Sequence, residues 1–187
     1  MLTEQDLIEF EREVAEAFKA GKIRSPVHLS GGNEDQLVDI FREIDRDDWI
    51  FSTWRSHYHA LLHGIPRDIV MQAIMMGRSM NLNFPAYCFL SSAIMGGILP
   101  IACGVAAGGK KTWCFVGDMC ASTGAFHDAL RFAEGHDLPI TFVIEDNGLS
   151  TNTPTHETWG QGSRCKTRCY EYQRTYPHVG LDQFVQF

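Results

Sequence analysis

Hydrophobic residues near the N-terminus recur with the 3.6-residue period of an amphipathic helix. The apolar positions that share one face are Leu7, Phe10, Val14 and Phe18. Thr3 is a favourable N-cap residue and Gly21 a common helix terminator, so the pattern predicts a helix over residues 3–20. Such a helix packs one side against a core.

Three more segments have helical character. Apolar spacing continues over Leu37–Ile44, and Pro66 suits the first turn of a helix that runs to Gly77. Residues 91–108 (SSAIMGGILPIACGVAAG) are almost all small and apolar. We expect them to form a thin, fully buried helix, because large side chains would clash with closely packed neighbours.

The period then changes to that of buried strands. Thr112–Val116 and Ile140–Ile144 are continuous apolar runs, and Gly124–Glu134 between them has amphipathic helical spacing. Two buried strands joined by a helix predict parallel pairing and a right-handed crossover. The predicted fold class is therefore α/β, a single three-layer domain over residues 1–187 with a mainly parallel sheet covered by helices on both faces.

The chain becomes polar after Asn147. We predict an irregular C-terminal tail from about residue 150, with a short apolar end at Phe184–Phe187.

Composition narrows the classes of function. The chain is 44% hydrophobic and 21% charged, and its longest apolar stretch, residues 93–107, is too short and too rich in glycine to span a bilayer, so no membrane role is expected. The acidic N-terminus is unlike an export signal, which favours a cytoplasmic location. A net charge of −7 argues against an extended nucleic-acid surface.

The cysteines give little functional signal. The chain has six of them, mostly in apolar segments, which is typical of reduced core thiols. Cys165 and Cys169 are the exception, but zinc would need two further ligands, and only His156 and His178 are near in sequence. Surface thiols are the simpler interpretation of this pair.

Two polar turns follow the two buried strands. Gly117-Asp118 comes directly after the first strand and Asp146-Asn147-Gly148 after the second. The carboxyl ends of parallel strands share one edge of a sheet, and neighbouring strands lie about 5 Å apart. One carboxylate and one amide oxygen suit Mg²⁺, which completes its shell with water and phosphate oxygens, and helix amides near Cys120–Thr123 could cradle a diphosphate.

Each turn alone is common in proteins and is more often structural. The pair, 29 residues apart (147 − 118), carries more weight. No G-x-G-x-x-G follows a strand, and Gly108-Gly109-Lys110 precedes a strand where a phosphate loop would open a helix, so we interpret it as a turn.

The stretch GDMCASTGAFHDALRFAEGHDLPITFVIEDNGLSTNTPT, residues 117–155, resembles the thiamin-diphosphate motif of α subunits of 2-oxoacid dehydrogenase decarboxylating components, whose signature runs from Gly-Asp-Gly to Asn-Asn. The resemblance extends upstream through HLSGGNE (residues 28–34), FSTWRSH (51–57) and SSAIMGGILPIACGVA (91–106). It covers roughly residues 25–155 and implies a thiamin-diphosphate-binding fold.

The resemblance also implies roles for individual residues. It makes Asp118, Asn147 and the backbone carbonyl of Leu149 the Mg²⁺ ligands. The residues that it assigns to the cofactor are Trp54, Arg55, Ala93, Met95, Gly117, Asp118, Met119, Cys120 and Asn147. Arg55 matches the arginine of a Tyr-Arg pair, and its planar guanidinium can grip a phosphate; a solvated surface arginine is the alternative.

Two histidines are candidate proton shuttles. His28 matches a histidine near the reacting carbonyl, and His57 lies two residues beyond Arg55. His59 and His63 are weaker candidates, for which a role in local hydrogen bonding is the simpler interpretation.

The implied activity is cleavage or formation of a carbon-carbon bond next to a carbonyl, with thiamin diphosphate as the electron sink. Members of this family use an activating glutamate on a separate pyrimidine-binding domain, for which this chain has no second sheet. A β-like partner subunit and an α2β2 assembly are therefore implied, with 2-oxoacid decarboxylation of the dehydrogenase type as the expected reaction.

Four departures from the family pattern leave other reactions open. Met119 replaces the last glycine of the motif, Trp54 the usual tyrosine and Asn81 a histidine. The chain also ends soon after the metal loop, without a counterpart of the loop histidine that helps transfer the acyl group to lipoyl. The alternatives are a split transketolase-like transferase, a non-oxidative 2-oxoacid decarboxylase or carboligase, and a non-catalytic thiamin-diphosphate-binding module.

Overall fold

The computed structural model describes residues 2–160 and 167–181. The strands are β1 (Trp49–Ser52), β2 (Asn83–Phe84), β3 (Phe89–Ser91), β4 (Thr112–Gly117), β5 (Ile140–Asp146), β6 (Leu149–Ser150), β7 (Thr153–Pro154) and β8 (Arg168–Glu171). The helices are α1 (Glu4–Lys19), α2 (Glu34–Phe41), α3 (His57–Leu62), α4 (Arg67–Met75), α5 (Ile98–Ala107), α6 (Asp118–Ala121), α7 (Gly124–Gly135) and α8 (Thr155–Trp159).

A six-stranded sheet of order β2-β3-β1-β4-β5-β8 forms the centre of the domain. Neighbouring strands from β3 to β8 pair in parallel, and only β2 is antiparallel to its neighbour. β4 and β5 lie side by side in register, with Val116 opposite Ile144 and Gly117 opposite Glu145. The predicted α/β class and the parallel pair joined by a helix, α7, are confirmed.

Side chains alternate between the two faces of the sheet, and both faces are buried. The residues on one face, which we call the helix-rich face, include Ile50, Phe89, Trp113, Phe115 and Val143, and they pack against α1 to α4. The residues on the other, which we call the thin face, include Phe51, Cys114, Val116, Phe142 and Ile144, and they pack against α5, α6 and α7. This two-sided burial explains why β4 and β5 are apolar throughout.

The helix-rich face is anchored by α1, which begins as the sequence predicts. Thr3 is the N-cap: its hydroxyl accepts from the backbone of Asp6, and the Asp6 carboxylate accepts from the backbone of Thr3 in return. This capping box satisfies two otherwise free N–H groups. The buried stripe of the helix includes Leu7, Phe10 and Val14, together with one charged residue, Glu11.

The thin face corrects one prediction. The segment expected to be a fully buried helix over residues 91–108 begins as the last residue of β3, turns, and becomes helical only at α5. Half of α5 is exposed, including Pro100, Ile101 and Gly104. Small residues bring one side of α5 close to the sheet, but within the described residues no further layer covers its other side.

The segment after Asn147 is more ordered than expected. It contains the β6–β7 hairpin, the short helix α8, and β8, which adds an edge strand to the main sheet. Cys165 and the apolar end at Phe184–Phe187 lie outside the described residues. In residues 2–160 and 167–181 we find no helix whose length and apolar content would let it cross a lipid bilayer.

Candidate functional site

A cleft lies at the carboxyl edge of the sheet, where β1, β4 and β5 end. Its walls come from several parts of the chain. They are residues 53–55 after β1, residues 117–120 at the end of β4, residues 145, 147 and 149–151 at the end of β5, and the more distant Ser30, Asn33, Met95 and Tyr172.

Most of the predicted site residues meet in this cleft. Those that line it are Trp54, Arg55, Met95, Gly117, Asp118, Met119, Cys120, Asn147 and Leu149. Ala93, His28 and His57 are not among the lining residues. The two turns singled out in the sequence therefore face one cavity, as expected for adjacent parallel strands.

Asp118 is the buried carboxylate of the β4 turn. Its residue is only 7% exposed. Burial raises the pKa of its carboxyl, and the charge of Asp146 raises it further, whereas hydrogen bonds from the Thr155 hydroxyl and from the backbone of Asn147 oppose the rise. The contact with the Asn147 backbone brings the β5 turn directly against the Asp118 carboxylate.

Asn147 is held in one orientation by two hydrogen bonds. Its Oδ1 accepts from the backbone N–H of Leu149 at 3.0 Å, and its Nδ2 donates to the hydroxyl of Tyr172 at 3.0 Å. Gly148 between them has φ +67°, the left-handed conformation that glycine adopts at least cost. The tight turn leaves a second lone pair on the amide oxygen available within the cleft.

Trp54 and Arg55 bring unpaired donors to the cleft. The Nε1 of Trp54 and the Nε of Arg55 are buried and have no hydrogen-bond partner. One terminal nitrogen of Arg55 donates to the backbone carbonyl of His178 at 2.8 Å and lies 3.2 Å from His178 Nδ1. Buried donors without partners are uncommon, and here two of them line the same cavity.

His28 is buried next to this arginine. Its ring centroid lies 4.9 Å from that of His178 and 6.1 Å from that of Trp54, and its Nδ1 has no hydrogen-bond partner. Burial, with the nearby charge of Arg55, lowers the pKa of His28 to about 3. The imidazole is therefore neutral near pH 7.

The structure does not bring His57 to the cleft. The side chain is fully buried, its Nδ1 lies 3.2 Å from the Glu11 carboxylate, and its Nε2 lies 2.9 Å from the hydroxyl of Ser79. Both ring nitrogens thus have neighbours inside the helix-rich face. Ala93 also lies outside the cleft lining, where its backbone N–H donates to Asn81 at 3.0 Å.

His59 and His63 are likewise buried. His59 Nδ1 lies 3.3 Å from the hydroxyl of Ser52, and its Nε2 lies 3.3 Å from Glu145. These contacts agree with a role in local hydrogen bonding.

Glu145 is a buried acid that sequence reasoning left out of the site. It lies at the end of β5, lines the cleft, and accepts a hydrogen bond of 2.5 Å from the Tyr170 hydroxyl. Asn33 Nδ2 lies 3.4 Å from the same oxygen. These partners hold the carboxylate against the wall of the cleft.

Two further parts of the site come from the segment after residue 166. Tyr170 and Tyr172 reach the site because β8 pairs with β5. The following residues cross the loop at Gly31 and Gly32, where a Cβ atom would lie 1.9 Å from Thr175 Oγ1 and 2.2 Å from the carbonyl oxygen of Gln173, respectively. The alternation of tyrosines at positions 170 and 172 is the sequence signal that could have indicated this part of the site.

Met119, which replaces the last glycine of the family motif, lies in the β4 turn. Its sulfur lies 2.8 Å from the indole Nε1 of Trp159 on α8. Within residues 2–160 and 167–181, no three His, Cys, Asp or Glu side chains form a group that could hold a metal.

Comparison with known proteins identifies the family of the chain. Residues 3–168 match the family model described as the dehydrogenase E1 component. The chain is 32% identical over 161 residues to the α subunit of acetoin:2,6-dichlorophenolindophenol oxidoreductase from Bacillus subtilis, covering 78% of this chain and 48% of that protein. It is 29% identical over 172 residues to the pyruvate dehydrogenase E1 component subunit α of Porphyra purpurea, covering 80% and 50%.

The homologous protein from Cupriavidus necator that carries the same acetoin oxidoreductase name gives 32% identity over 161 residues, again 78% of this chain and 48% of that protein. The chain spans about half the length of the curated relatives that it matches. Because the family model covers most of the sequence, the chain belongs to the dehydrogenase E1 component family.

Proposed function

We propose that this chain is the diphosphate-binding subunit of a thiamin-diphosphate-dependent enzyme that cleaves or forms a carbon-carbon bond next to a carbonyl. The observation that carries the proposal is the meeting of Asp118, Asn147 and Arg55 in one cleft. Family membership and the names of the relatives, pyruvate dehydrogenase and acetoin oxidoreductase α subunits, favour a 2-oxoacid decarboxylation of the dehydrogenase type.

The residues of the cleft fit Mg²⁺ and a diphosphate. Asp118 offers a carboxylate, Asn147 an amide oxygen and Leu149 a backbone carbonyl, all hard oxygen ligands of the kind that Mg²⁺ prefers. The unpaired N–H groups of Trp54 and Arg55 are donors that suit anionic oxygens. Met119 and Cys120 line the cleft on the side where a diphosphate would meet backbone amides.

When bound, thiamin diphosphate would supply the nucleophilic carbon and the electron sink of the reaction. The chain's own residues bind and orient. Arg55 and Trp54 hold anionic oxygens, Asp118 and Asn147 fix the metal, and Met95 shapes the wall. Of the two histidine candidates, His28 is the better placed to move a proton near the reacting centre, because it lies beside Trp54 and its Nδ1 has no hydrogen-bond partner.

The proposal includes a β-like partner that carries a pyrimidine-binding domain with the activating glutamate, in an α2β2 assembly. Glu145 is a poor substitute for that glutamate, because Tyr170 and His59 already engage it. The thin face offers a surface for such a partner. Half-exposed Phe132 lines an apolar groove between α5 and α7, and Ile101 on α5 is also about half exposed.

The test is calorimetric titration of thiamin diphosphate, with and without Mg²⁺, into the chain co-purified with its partner. We expect Mg²⁺-dependent binding that Asp118→Asn weakens by about 100-fold or more, since loss of even an outer-shell partner of a metal ligand costs ~10–100-fold. Asp68→Ala, at an exposed acid on α4, is the matched control. Equal affinity in Asp118→Asn and the wild type would refute the metal site.

A second assay separates the possible reactions. The co-purified pair is given a panel of 2-oxoacids with an artificial electron acceptor, and carbon dioxide and reduced acceptor are measured. Reduction coupled to carbon dioxide release supports the dehydrogenase type, whereas carbon dioxide alone indicates non-oxidative decarboxylation. Transfer of two-carbon units between sugars would indicate a split transketolase, and binding without any turnover a non-catalytic module.

A further inference from the structure

Tyr172 enters the cleft from a strand that none of the motifs includes. Its backbone N–H donates to the carbonyl of Asp146 at 2.8 Å, which continues the pairing of β8 with β5 by one residue. This bond fixes Tyr172 beside the β5 turn, and the residue lines the cleft together with Asp118 and Asn147. The position is therefore set by main-chain pairing and does not depend on a flexible loop.

The hydroxyl of Tyr172 accepts one hydrogen bond and has an unused donor. It accepts from Asn147 Nδ2 at 3.0 Å. A phenol can also donate, and no acceptor for its proton is found in the described part of the chain. The side chain is partly buried and lines the cleft, so the proton is available for an acceptor that enters the cleft.

The surroundings favour an anionic acceptor. Arg55 lines the same cleft as Tyr172. Arg174, two residues further along the chain, donates to the backbone carbonyl of Thr151, another residue of the cleft lining, at 3.2 Å. Trp54 and Arg55 add two more unpaired donors to the same cavity.

Tyr172 also determines how Asn147 is oriented. Nδ2 of Asn147 donates to the phenol oxygen of Tyr172. Its Oδ1 therefore lies on the opposite side of the amide, where it accepts from the backbone N–H of Leu149 and faces the cleft. Without the hydroxyl, the Asn147 amide could rotate and present its NH₂ group toward a cation. The cation would be repelled, because the amide hydrogens carry partial positive charge.

We propose that Tyr172 is both a ligand-binding and a positioning residue of this site: its hydroxyl donates to an anionic oxygen of a bound diphosphate and, by accepting from Asn147, fixes the amide oxygen toward the metal. This inference rests on the proposed function, which supplies the diphosphate and the Mg²⁺. It deepens that function by adding the residue that directly follows β8, outside the matched motifs.

The experiment compares Tyr172→Phe with Tyr176→Phe in the same preparation that is titrated with thiamin diphosphate and Mg²⁺ above. Tyr176 is a matched control on the same segment that does not line the cleft. We expect Tyr172→Phe to weaken thiamin diphosphate binding by about 10-fold to 100-fold, the range for a lost hydrogen bond to a charged group, and Tyr176→Phe to change it less than about 2-fold.

Two further readouts separate this role from a structural one. At saturating thiamin diphosphate, Tyr172→Phe should raise the Mg²⁺ concentration needed for half-saturation, because Asn147 loses its orientation. Tyr172→His, which keeps a ring with a donor and an acceptor, should recover part of the lost affinity. A Mg²⁺ requirement equal to that of the wild type, or a histidine variant as weak as the phenylalanine variant, would contradict the positioning role.

Melting shifts on adding ligand, each measured against the ligand-free midpoint of the same variant, give the affinities even if Tyr172→Phe is less stable. A wild type that does not bind thiamin diphosphate would overturn the proposed function itself. A wild type that binds, with Tyr172→Phe binding equally well, would overturn only the assignment of Tyr172.

Discussion

The two faces of the sheet are built in opposite ways. On the helix-rich face, four helices cover the strands, and large side chains such as Phe10, Phe89 and Phe115 are fully buried. On the thin face, α5, α6 and α7 form the covering layer with alanine and cysteine at many contacts, and Ile101 and Phe132 remain about half exposed.

The difference shows where each part of the molecule finds its stability. The helix-rich face is covered by helices of the described chain, and it also buries the side chains of Glu11 and His57. The thin face leaves an apolar groove open, and apolar surface of this kind marks interaction sites. The cleft lies at the carboxyl edge of the sheet, between the two faces.

Among the variants that test the difference between the two faces, Glu11→Ala is expected to have the largest effect on stability. Its carboxylate accepts from the backbone N–H of Ser30 at 2.8 Å and lies 3.2 Å from His57, with neither side chain exposed. Glu11→Ala should lower the free energy of unfolding by about 3–5 kcal/mol, the usual cost of removing one partner of a buried pair. Urea unfolding measures it.

The matched control is Glu13→Ala on the same helix. Glu13 pairs with Arg67 at 2.8 Å, but both side chains are about half exposed, so a loss below about 1 kcal/mol is expected. Equal losses for the two variants would mean that the buried pair does not stabilise the helix-rich face.

A smaller effect should appear as a loss of folding stability at acidic pH that is caused by His28. The pKa of His28 is lowered from 6.5 to about 3 in the folded protein. The unfolded chain therefore binds a proton that the folded one does not, and this contribution to stability falls as the pH drops from about 6.5 toward 3. Between neutral pH and pH 5 the loss is roughly 2 kcal/mol.

This loss is measured by urea unfolding at both pH values in the wild type and in His28→Asn. The variant should lose less stability than the wild type on acidification, because it lacks the group that titrates. An identical pH dependence in the two proteins would show that His28 is protonated as easily in the folded state as in the unfolded chain.

The smallest effect on stability is expected on the thin face. Phe132→Ser removes a half-exposed ring from the outer side of α7, so the free energy of unfolding should change by less than about 0.5 kcal/mol. Association with the co-purified partner should nevertheless weaken, which sedimentation velocity would detect. Phe126→Ala, at a fully buried position on the same helix, should instead cost about 3–5 kcal/mol of stability.

If Phe132→Ser lowered the free energy of unfolding as much as Phe126→Ala, the outer side of α7 would contribute to stability, which would contradict the described difference between the two faces. Unchanged association would mean that the groove between α5 and α7 is not where the partner binds.

The sequence was sufficient for the elements whose signal is local. The apolar runs of β4 and β5 and the spacing of α7 specify a parallel unit, and the turns at Asp118 and Asn147 follow because parallel strands end at one edge. Thr3 and Gly21 likewise mark the ends of α1 through their backbone preferences.

What the sequence could not provide depends on contacts between distant residues. The exposure of α5 follows from how many layers lie above it, which small residues alone do not reveal. His57 looks like a site residue because it is close to Arg55 in sequence, yet α3 directs it toward Glu11. Tyr172 reaches the cleft only through the pairing of β8 with β5. The sequence of β8 has no continuous apolar run that would predict a strand.

The crossing of the segment after β8 over Gly31 and Gly32 has a consequence for the order of folding during synthesis. A nascent chain that has emerged only as far as Asn147 already has the turns at Asp118 and Asn147, but it lacks Tyr172 and the residues that cross the loop at position 31. Contacts between residues this far apart in the chain form late. The cleft can therefore be completed only after the segment that follows β8 has been synthesised.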